Sequence, residues 1–131
     1  MFIQLEHNLD IALYEQLTRQ IIMGIANGDL KPGEKLPSVR NLAADLGVNM
    51  HTVNRSYAEL EKKGILAIKP KSGAVIREAQ QELSKEQLIN IEQNLKPVLI
   101  EGKVLGASDK QIQDILQKLL GELKQKQCEG M

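Results

Sequence analysis

The side chains best suited to recognition chemistry lie close together in residues 49–55, which read NMHTVNR. The amide of Asn54 suits adenine, the planar guanidinium of Arg55 suits guanine, and His51 can donate a hydrogen bond to an acceptor on a base edge. These groups suit binding through hydrogen bonds and do not indicate catalysis. The same residues are also compatible with an ordinary solvated helix face, so their meaning depends on the elements that position them.

Residue groupings that would support catalysis are absent from the sequence. There is no nucleophile paired with a base, no glycine-rich phosphate loop, and no cluster of His, Cys and carboxylate residues at metal-ligand spacing. We therefore expect no enzymatic activity, no catalytic residue and no bound metal or cofactor.

Length and composition indicate one compact domain with a small appendage. The chain has 131 residues, 42% of them hydrophobic and 26% charged, which is typical neither of a disordered tail nor of a membrane protein. No apolar run reaches the length of a membrane span, and the N-terminal segment MFIQLEHNLD does not resemble a signal peptide. The single cysteine, Cys128, excludes an intrachain disulfide and fits a reducing compartment, so the expected location is cytoplasmic.

The charge balance gives no general support to nucleic-acid binding. Lys and Arg together number 17, Asp and Glu together number 17, and the formal net charge is zero. Residues 1–78 contain ten basic against nine acidic side chains, and the remainder contains seven against eight. Any positive surface must therefore be local, and a second copy of the chain would double it.

Two short amphipathic helices are predicted around the recognition residues. The first spans residues 39–46 after the capping residue Ser38, and the second spans residues 50–63 after the capping residue Asn49. Gly47 between them suits the positive-φ position that ends a helix. Two short helices joined by a tight turn with a glycine indicate a helix-turn-helix.

The second helix of this pair has a clear inner and outer side. At about 100° per residue, Val53, Tyr57 and Leu60 share one side of it. The opposite side carries His51, Asn54, Arg55, Ala58 and Lys62. A recognition helix needs polar side chains near its N-terminal end and small residues where it enters the groove, so this pattern favours insertion into the major groove of DNA.

A further helix and a β-hairpin are predicted on either side of this pair. Residues 11–27 carry an apolar face formed by Leu13, Leu17, Ile21 and Ile25. Residues 65–69 and 74–77 are β-prone runs around a turn that carries Lys69 and Lys71. A basic hairpin directly after a helix-turn-helix is typical of a wing that contacts phosphate or the minor groove.

Three segments in this order resemble the winged helix-turn-helix of GntR-type transcription regulators. They are LYEQL at residues 13–17, GDLKPGEKLPSVR at residues 28–40, and the stretch from Thr52 through Glu61 to Gly64. The resemblance covers residues 13–76, and the second segment is highly specific for the family. The resemblance to this family implies a dimeric, sequence-specific repressor that binds a palindromic operator.

The same resemblance assigns roles to individual positions. Ser38 and Arg40 match positions that touch DNA at the start of the second helix, Thr52 matches a backbone-contacting threonine, and Gly73 matches the glycine of the wing tip. The sequence departs from the family pattern at Met50, His51 and Asn54, which leaves the operator sequence open. The predicted DNA-binding set is Ser38, Arg40, Asn49, His51, Thr52, Asn54, Arg55, Lys69, Lys71 and Gly73.

The C-terminal part of the chain is predicted to form an antiparallel pair of helices over residues 85–103 and 109–126. The predicted domains are a DNA-binding domain, residues 1–78, and a linker with a dimerisation region, residues 79–131. Ser84 with Gln87, and Ser108 with Gln111, have capping-box spacing. Exposed Leu and Ile stripes are costly in water, so we expect them to pack on a second copy; docking onto the chain's own winged domain is the alternative. The predicted dimerisation residues are Leu88, Ile91, Leu95, Leu99, Ile112, Ile115, Leu116, Leu119 and Leu123.

Two helices of this length cannot by themselves enclose a typical metabolite pocket of roughly 300–1,000 Å³. The sequence therefore identifies no small-molecule effector. A binding pocket between two copies of the chain is the alternative that it leaves undecided. The short two-helix tail resembles the YtrA-like subgroup of the GntR family, whose members commonly lie beside transporter genes. That resemblance implies control of a transporter operon.

The leading hypothesis is a mainly α-helical winged helix-turn-helix protein that binds double-stranded DNA as a homodimer and represses transcription. The neutral charge keeps one alternative open, a winged-helix adaptor that binds proteins and not DNA.

Overall fold

The structure is a computed structural model that describes residues 3–8, 10–69, 73–79 and 81–129, with side chains described as far as residue 123. The side chain of Cys128 therefore lies outside the described part. The elements in order are α1 (Leu13–Ala26), α2 (Val39–Leu46), α3 (Met50–Lys62), β1 (Leu66–Lys69), β2 (Gly73–Ile76), α4 (Lys85–Leu105) and α5 (Asp109–Glu129). The chain divides into two compact units, one that ends at Ala79 and one that runs on to Glu129. None of the described helices is long and apolar enough to cross a bilayer.

The turn between α2 and α3 has the predicted caps. Ser38 Oγ accepts a hydrogen bond from a backbone N–H in the first turn of α2 at 3.1 Å, and Asn49 Oδ1 accepts one in the first turn of α3 at 2.8 Å. Gly47 ends α2 with a φ of 69°, a left-handed conformation that glycine adopts without steric penalty. The predicted bounds of α2 and both caps are confirmed, whereas α3 ends one residue early because Lys63 is its C-cap.

Helix α1 begins at Leu13, later than predicted, because the chain before it is engaged by a side chain. Gln16 Nε2 donates to the carbonyl oxygens of Ile11 at 2.8 Å and Glu6 at 2.9 Å, and Gln16 Oε1 accepts from the Glu6 N–H at 2.9 Å. Ala12 is the N-cap, without a side-chain hydrogen bond. The buried Gln16 thus gives the Ile11 carbonyl the partner that a helix beginning at residue 11 would have supplied, and it also bonds the backbone of Glu6.

The core of the first unit consists of apolar side chains that are at most 5% exposed. They are Leu17, Ile21, Leu30, Leu36, Leu42, Ala43, Val53, Tyr57, Leu60, Leu66, Ala74 and Ile76. The predicted inner side of α3 is confirmed. In α1, Leu17 and Ile21 are buried, whereas Leu13 and Ile25 are only half-buried.

Two hydrogen bonds connect α3 to the other helices through buried or half-buried side chains. Ser56 Oγ lies 2.8 Å from Thr18 Oγ1 of α1. The Tyr57 hydroxyl donates to the Pro37 carbonyl just before α2, at 2.7 Å. Both contacts fix α3 relative to the helices on either side of it.

The predicted hairpin is part of a larger sheet arrangement. β1 and β2 pair antiparallel with Leu66 opposite Ile76, and both strands lie about one residue from the predicted bounds. The segment before α2 also pairs with β2, because Leu36 N–H donates to Ala74 O at 2.9 Å and Ile76 N–H donates to Glu34 O at 3.0 Å. The wing is therefore joined directly to the segment that leads into α2.

The second unit has the two predicted helices and both predicted capping boxes. The side chains of Ser84 and Ser108 accept from backbone N–H groups at 3.1 Å, and Gln87 and Gln111 accept in return. Gly106 ends α4 with a φ of 109°. The helices extend slightly past the predicted ends, to Leu105 and Glu129.

The apolar stripes of this unit are open to solvent in the single chain. The described residues of α4 include none that is buried, and Leu99 and Ile112 near the connecting turn are half-buried. The other seven predicted dimerisation residues are between 36% and 56% exposed. Such a row of Leu and Ile side chains is an unusual surface for a monomer.

Tyr57 generates a prediction about stability at high pH. Burial raises the pKa of Tyr57 to about 12, so the folded state retains the phenol proton where the unfolded chain, with a pKa near 10, loses it. The free energy of unfolding should therefore fall as pH rises from about 10 to about 12, by no more than roughly 3 kcal/mol. Urea unfolding followed by circular dichroism across this range measures the effect.

Tyr57→Phe separates this contribution from general alkaline destabilisation. The variant should lose about 1 kcal/mol at neutral pH with the hydrogen bond to Pro37, and it should lack the extra fall above pH 10. Tyr14→Phe is the matched control and should retain that fall. An unchanged alkaline profile in Tyr57→Phe would contradict the assignment.

Candidate nucleic-acid interface

The outer side of α3 carries the residues that the sequence predicts to read bases. His51, Asn54 and Arg55 are exposed, Thr52 is half-buried, and Val53 among them is fully buried. Within the described residues, the side chains of His51 and Asn54 have no hydrogen-bond partner. Their donors and acceptors are therefore free to pair with a ligand.

The start of α3 is shaped by Asn49. Its side-chain oxygen accepts from the His51 N–H at 2.8 Å, and its carbonyl accepts from the Thr52 N–H at 3.0 Å. Asn49 is exposed, so the cap and the first turn of α3 share one surface with His51. The N-terminal end of a helix favours a negatively charged group, which is what a DNA phosphate provides.

The start of α2 is positioned by α3. The Tyr57 hydroxyl contacts the carbonyl of Pro37, and the next residue, Ser38, caps α2 with its hydroxyl. Arg40 lies in the first turn of α2 and is exposed. Ser38 and Arg40 therefore occupy a fixed helix start whose orientation depends on the core.

Arg55 differs from the other predicted base readers because it has a partner within the chain. Its guanidinium carbon lies 3.8 Å from the centre of the Tyr14 ring, and its Nη2 donates to the Tyr14 hydroxyl at 3.1 Å. The Tyr14 hydroxyl in turn donates to the Glu15 carboxylate at 3.2 Å. The contact is a cation–π stack supported by a hydrogen bond.

The end of the wing is described only in part. Lys69 is exposed at the end of β1 and pairs in register with Gly73, which has a φ of 79°. Lys71 lies outside the described residues. Lys69 is therefore the basic side chain that the described part of the wing offers to a phosphate.

No basic residue of this surface is neutralised by a carboxylate within the described part of the chain. The ion pair found there joins Lys103 and Asp109 in the second unit, at 2.6 Å. Arg40, Arg55 and Lys69 thus keep their charge available despite the zero net charge of the chain. Among the described residues, no group of three or more His, Cys, Asp or Glu could bind a metal ion.

Sequence reasoning misses three residues that organise this surface. Tyr14 contacts Arg55 from α1, the hydroxyl of Tyr57 fixes the start of α2, and Ser56 pairs with Thr18 in the core. Periodicity assigns Tyr57 to the inner side of α3 and says nothing about its hydroxyl. Ser56 follows Arg55 on a side otherwise occupied by apolar residues, and this is the signal that could have revealed it.

Comparison with known proteins places this architecture in a family. The family model of bacterial regulatory proteins of the gntR family matches residues 13–76. The HTH-type transcriptional repressor YtrA of Bacillus subtilis is 31% identical over 123 residues, which cover 93% of this chain and 95% of that protein. The match extends beyond the winged unit into the helices that follow it.

Solved structures agree with this relationship along nearly the whole chain. YtrA from Sulfolobus acidocaldarius, a GntR-family transcription factor, has a TM-score of 0.62 and 32% identity and covers 93% of this chain and 99% of its own. A transcriptional antiterminator from Listeria monocytogenes has a TM-score of 0.81 and 25% identity and covers 94% and 92%. The chain therefore belongs to the GntR family and is a DNA-binding transcriptional regulator, not an enzyme.

Proposed function

We propose that the protein is a homodimeric repressor that binds a palindromic operator, with one α3 in the major groove of each half-site. The observation that carries this proposal is the exposed polar side of a capped α3 in a chain that also exposes two apolar helix stripes. Its similarity to a Bacillus subtilis protein described as a repressor supports the direction of control. The resemblance to the YtrA-like subgroup supports a transporter operon as the target.

The DNA contacts divide into positioning and reading. Ser38, Arg40 and Thr52 would contact phosphates around the start of α2 and α3, because each lies at the cap or in the first turn of its helix. The wing residues Lys69, Lys71 and Gly73 would contact the adjacent backbone. His51 and Asn54 are the candidates for base reading, because both are exposed and unengaged in the described structure.

The case for a dimer rests on the exposed apolar surface of the second unit. Leu88, Ile91 and Leu95 follow one another along one side of α4, and all three are 44% exposed or more. At about 25 cal/mol per Å² of apolar surface, a partner that covers this stripe would stabilise the assembly strongly. A second copy brings an identical stripe, and a two-fold arrangement buries both at once.

Helix α4 also exposes apolar residues away from that stripe. Ile89, Ile100 and Val104 lie on the opposite side at about 100° per residue and are 50%, 53% and 81% exposed. A helix that is apolar on two sides is typical of one packed between neighbours. This favours a bundle of helices from two chains over a single covered face.

Selection from a random duplex library tests the operator. At low salt we expect enrichment of an inverted repeat whose half-sites are about one helical turn apart, roughly 34–36 Å between centres. Binding should weaken steeply as salt rises, since phosphate contacts release counterions. Enrichment of a single unpaired site, or no enrichment, would refute the palindromic operator.

Asn54→Ala tests base reading on the selected operator. The variant should lose about 1–3 kcal/mol of operator affinity and relax the preference at one base pair, while its affinity for an unrelated duplex stays the same. Fluorescence anisotropy with both duplexes measures this. Equal losses on both would identify Asn54 as a phosphate contact.

Leu95→Glu tests the dimer, with Asn94→Glu as the matched control. A carboxylate within the stripe should convert the dimer to a monomer at micromolar concentration, because it would be buried without a partner. The same carboxylate one position away, about 100° around α4 from Leu95 and in place of an exposed amide, should leave the dimer intact. Sedimentation equilibrium reports the mass of each variant.

Truncation after Glu82 is the second dimer variant and should give a monomer with much weaker operator binding. A truncated chain with the dimer mass would contradict the bundle. Dimeric Leu95→Glu would exclude this side of α4 from the interface.

Substitutions of Asn49 separate capping from DNA contact. Asn49→Ala should lower the free energy of unfolding by about 0.5–2 kcal/mol, because it removes the cap of α3. Asn49→Asp retains a capping oxygen and should be as stable as the wild type, yet bind DNA more weakly because its charge repels phosphate. Asn49→Ser, which is neutral and also caps, should bind normally. Wild-type DNA affinity in Asn49→Asp would place this side chain away from the backbone.

A further inference from the structure

Arg55 lies on the outer side of α3, about 40° around the helix axis from His51 and toward α1. The buried residues Val53, Ser56, Tyr57 and Leu60 define the inner side. At about 100° per residue, the direction opposite to them is occupied by His51, and Arg55 is turned from it toward α1. Its guanidinium accordingly contacts Tyr14 in the first turn of α1.

The partner of Arg55 is itself well fixed. Thr18 Oγ1 donates to the Tyr14 carbonyl at 2.8 Å, and Thr18 Oγ1 also lies 2.8 Å from Ser56 Oγ. Since the single proton of Thr18 is used for Tyr14, Ser56 is the donor in the second bond. α1 is therefore bound to α3 at the residue that follows Arg55, and the backbone of Tyr14, from which the ring projects, is held in place beside it.

The contacts with Tyr14 occupy some of the hydrogen-bond donors of Arg55 and leave the others free. One face of the guanidinium lies on the Tyr14 ring, and Nη2 donates to the Tyr14 hydroxyl. No further partner of Arg55 occurs among the described residues, so its remaining N–H groups are available. An arginine that reads a base extends freely to the base edges, whereas this guanidinium is held against the Tyr14 ring of a second helix.

We propose that Tyr14 is a positioning residue that presents Arg55 to a DNA phosphate, so that Arg55 contributes affinity and not base preference. This revises the base-reading role that the residue type alone suggests. The inference rests on the DNA binding of the family and does not require the palindromic operator. A phosphate contact acts on any duplex, which makes it measurable on DNA of arbitrary sequence.

The test compares four variants on two duplexes, the selected operator and a scrambled duplex of the same length. The variants are Arg55→Ala, Tyr14→Leu, Tyr14→Phe and the double variant Tyr14→Leu/Arg55→Ala. Affinity is measured by anisotropy over a range of salt concentrations, and thermal unfolding is recorded for each variant. If selection yields no operator, the palindrome proposal fails while the scrambled duplex still tests the role of Tyr14.

Arg55→Ala should weaken binding about tenfold on both duplexes, with an unchanged ratio between them. Its salt slope should be smaller by about one for each bound protomer. Tyr14→Leu should give a several-fold loss on both duplexes and no additional loss when Arg55 is already alanine. Tyr14→Phe, which retains the stack and lacks the hydroxyl, should lie between Tyr14→Leu and the wild type.

Three results would overturn the proposal. The first is a loss in Arg55→Ala that is confined to the operator or relaxes one base position, since that identifies a base contact. The second is an unchanged salt slope in Arg55→Ala. The third is independent, multiplying losses from Tyr14→Leu and Arg55→Ala. If Tyr14→Leu fails to fold, the double variant Tyr14→Phe/Arg55→Ala supplies the same coupling measurement.

Discussion

The exposed side of α3 depends on the burial of its other side. Val53, Tyr57 and Leu60 are at most 2% exposed, and at 3.6 residues per turn their burial sets the rotation of the helix about its axis. Hydrophobic burial alone tolerates some rotation because it has no direction. The hydrogen bonds from Ser56 to α1 and from Tyr57 to the segment before α2 are directional, and they act on opposite flanks of the buried side. Together they determine where His51 and Asn54 point.

The segment from Gly33 to Ser38 connects three parts of the winged unit through hydrogen bonds. Its backbone pairs with β2 through Leu36, its Pro37 carbonyl accepts from Tyr57, and Ser38 then begins α2. One short segment therefore connects the wing, the recognition helix and the start of α2. The stretch that most clearly resembles the family is thus a junction between the DNA-facing parts, and only its end at Ser38 and Arg40 lies at the proposed interface.

Local signals in the sequence predict most of the fold. Caps such as Ser38 and Asn49 act on N–H groups two or three residues away, and Gly47 acts at its own position, so a short window contains their cause and effect. The apolar period of α3 likewise predicts its buried side. These signals place every helix and both strands of the described chain within a few residues.

Contacts between distant residues are what the sequence does not reveal. The pairs Tyr14–Arg55 and Thr18–Ser56 join residues 41 and 38 positions apart, and no local preference of either member indicates the other. The bridge from Lys35 to Val75 has the same character. The candidate interface is therefore predictable as a set of residue types, whereas the role of an individual side chain such as Arg55 depends on a neighbour that only the fold brings near.

The neutral charge of the chain gives the proposed dimer its physical reason. The winged part of the chain, residues 1–78, carries ten basic against nine acidic side chains, so its net positive charge is small and the phosphate contacts of one unit give limited affinity. Joining two such units makes the second binding event intramolecular, and the overall affinity rises without any new contact. That gain requires both recognition helices to reach successive half-sites together, and the spacing is then set by the second unit. In this arrangement the apolar helices contribute to DNA recognition because they join the two winged units.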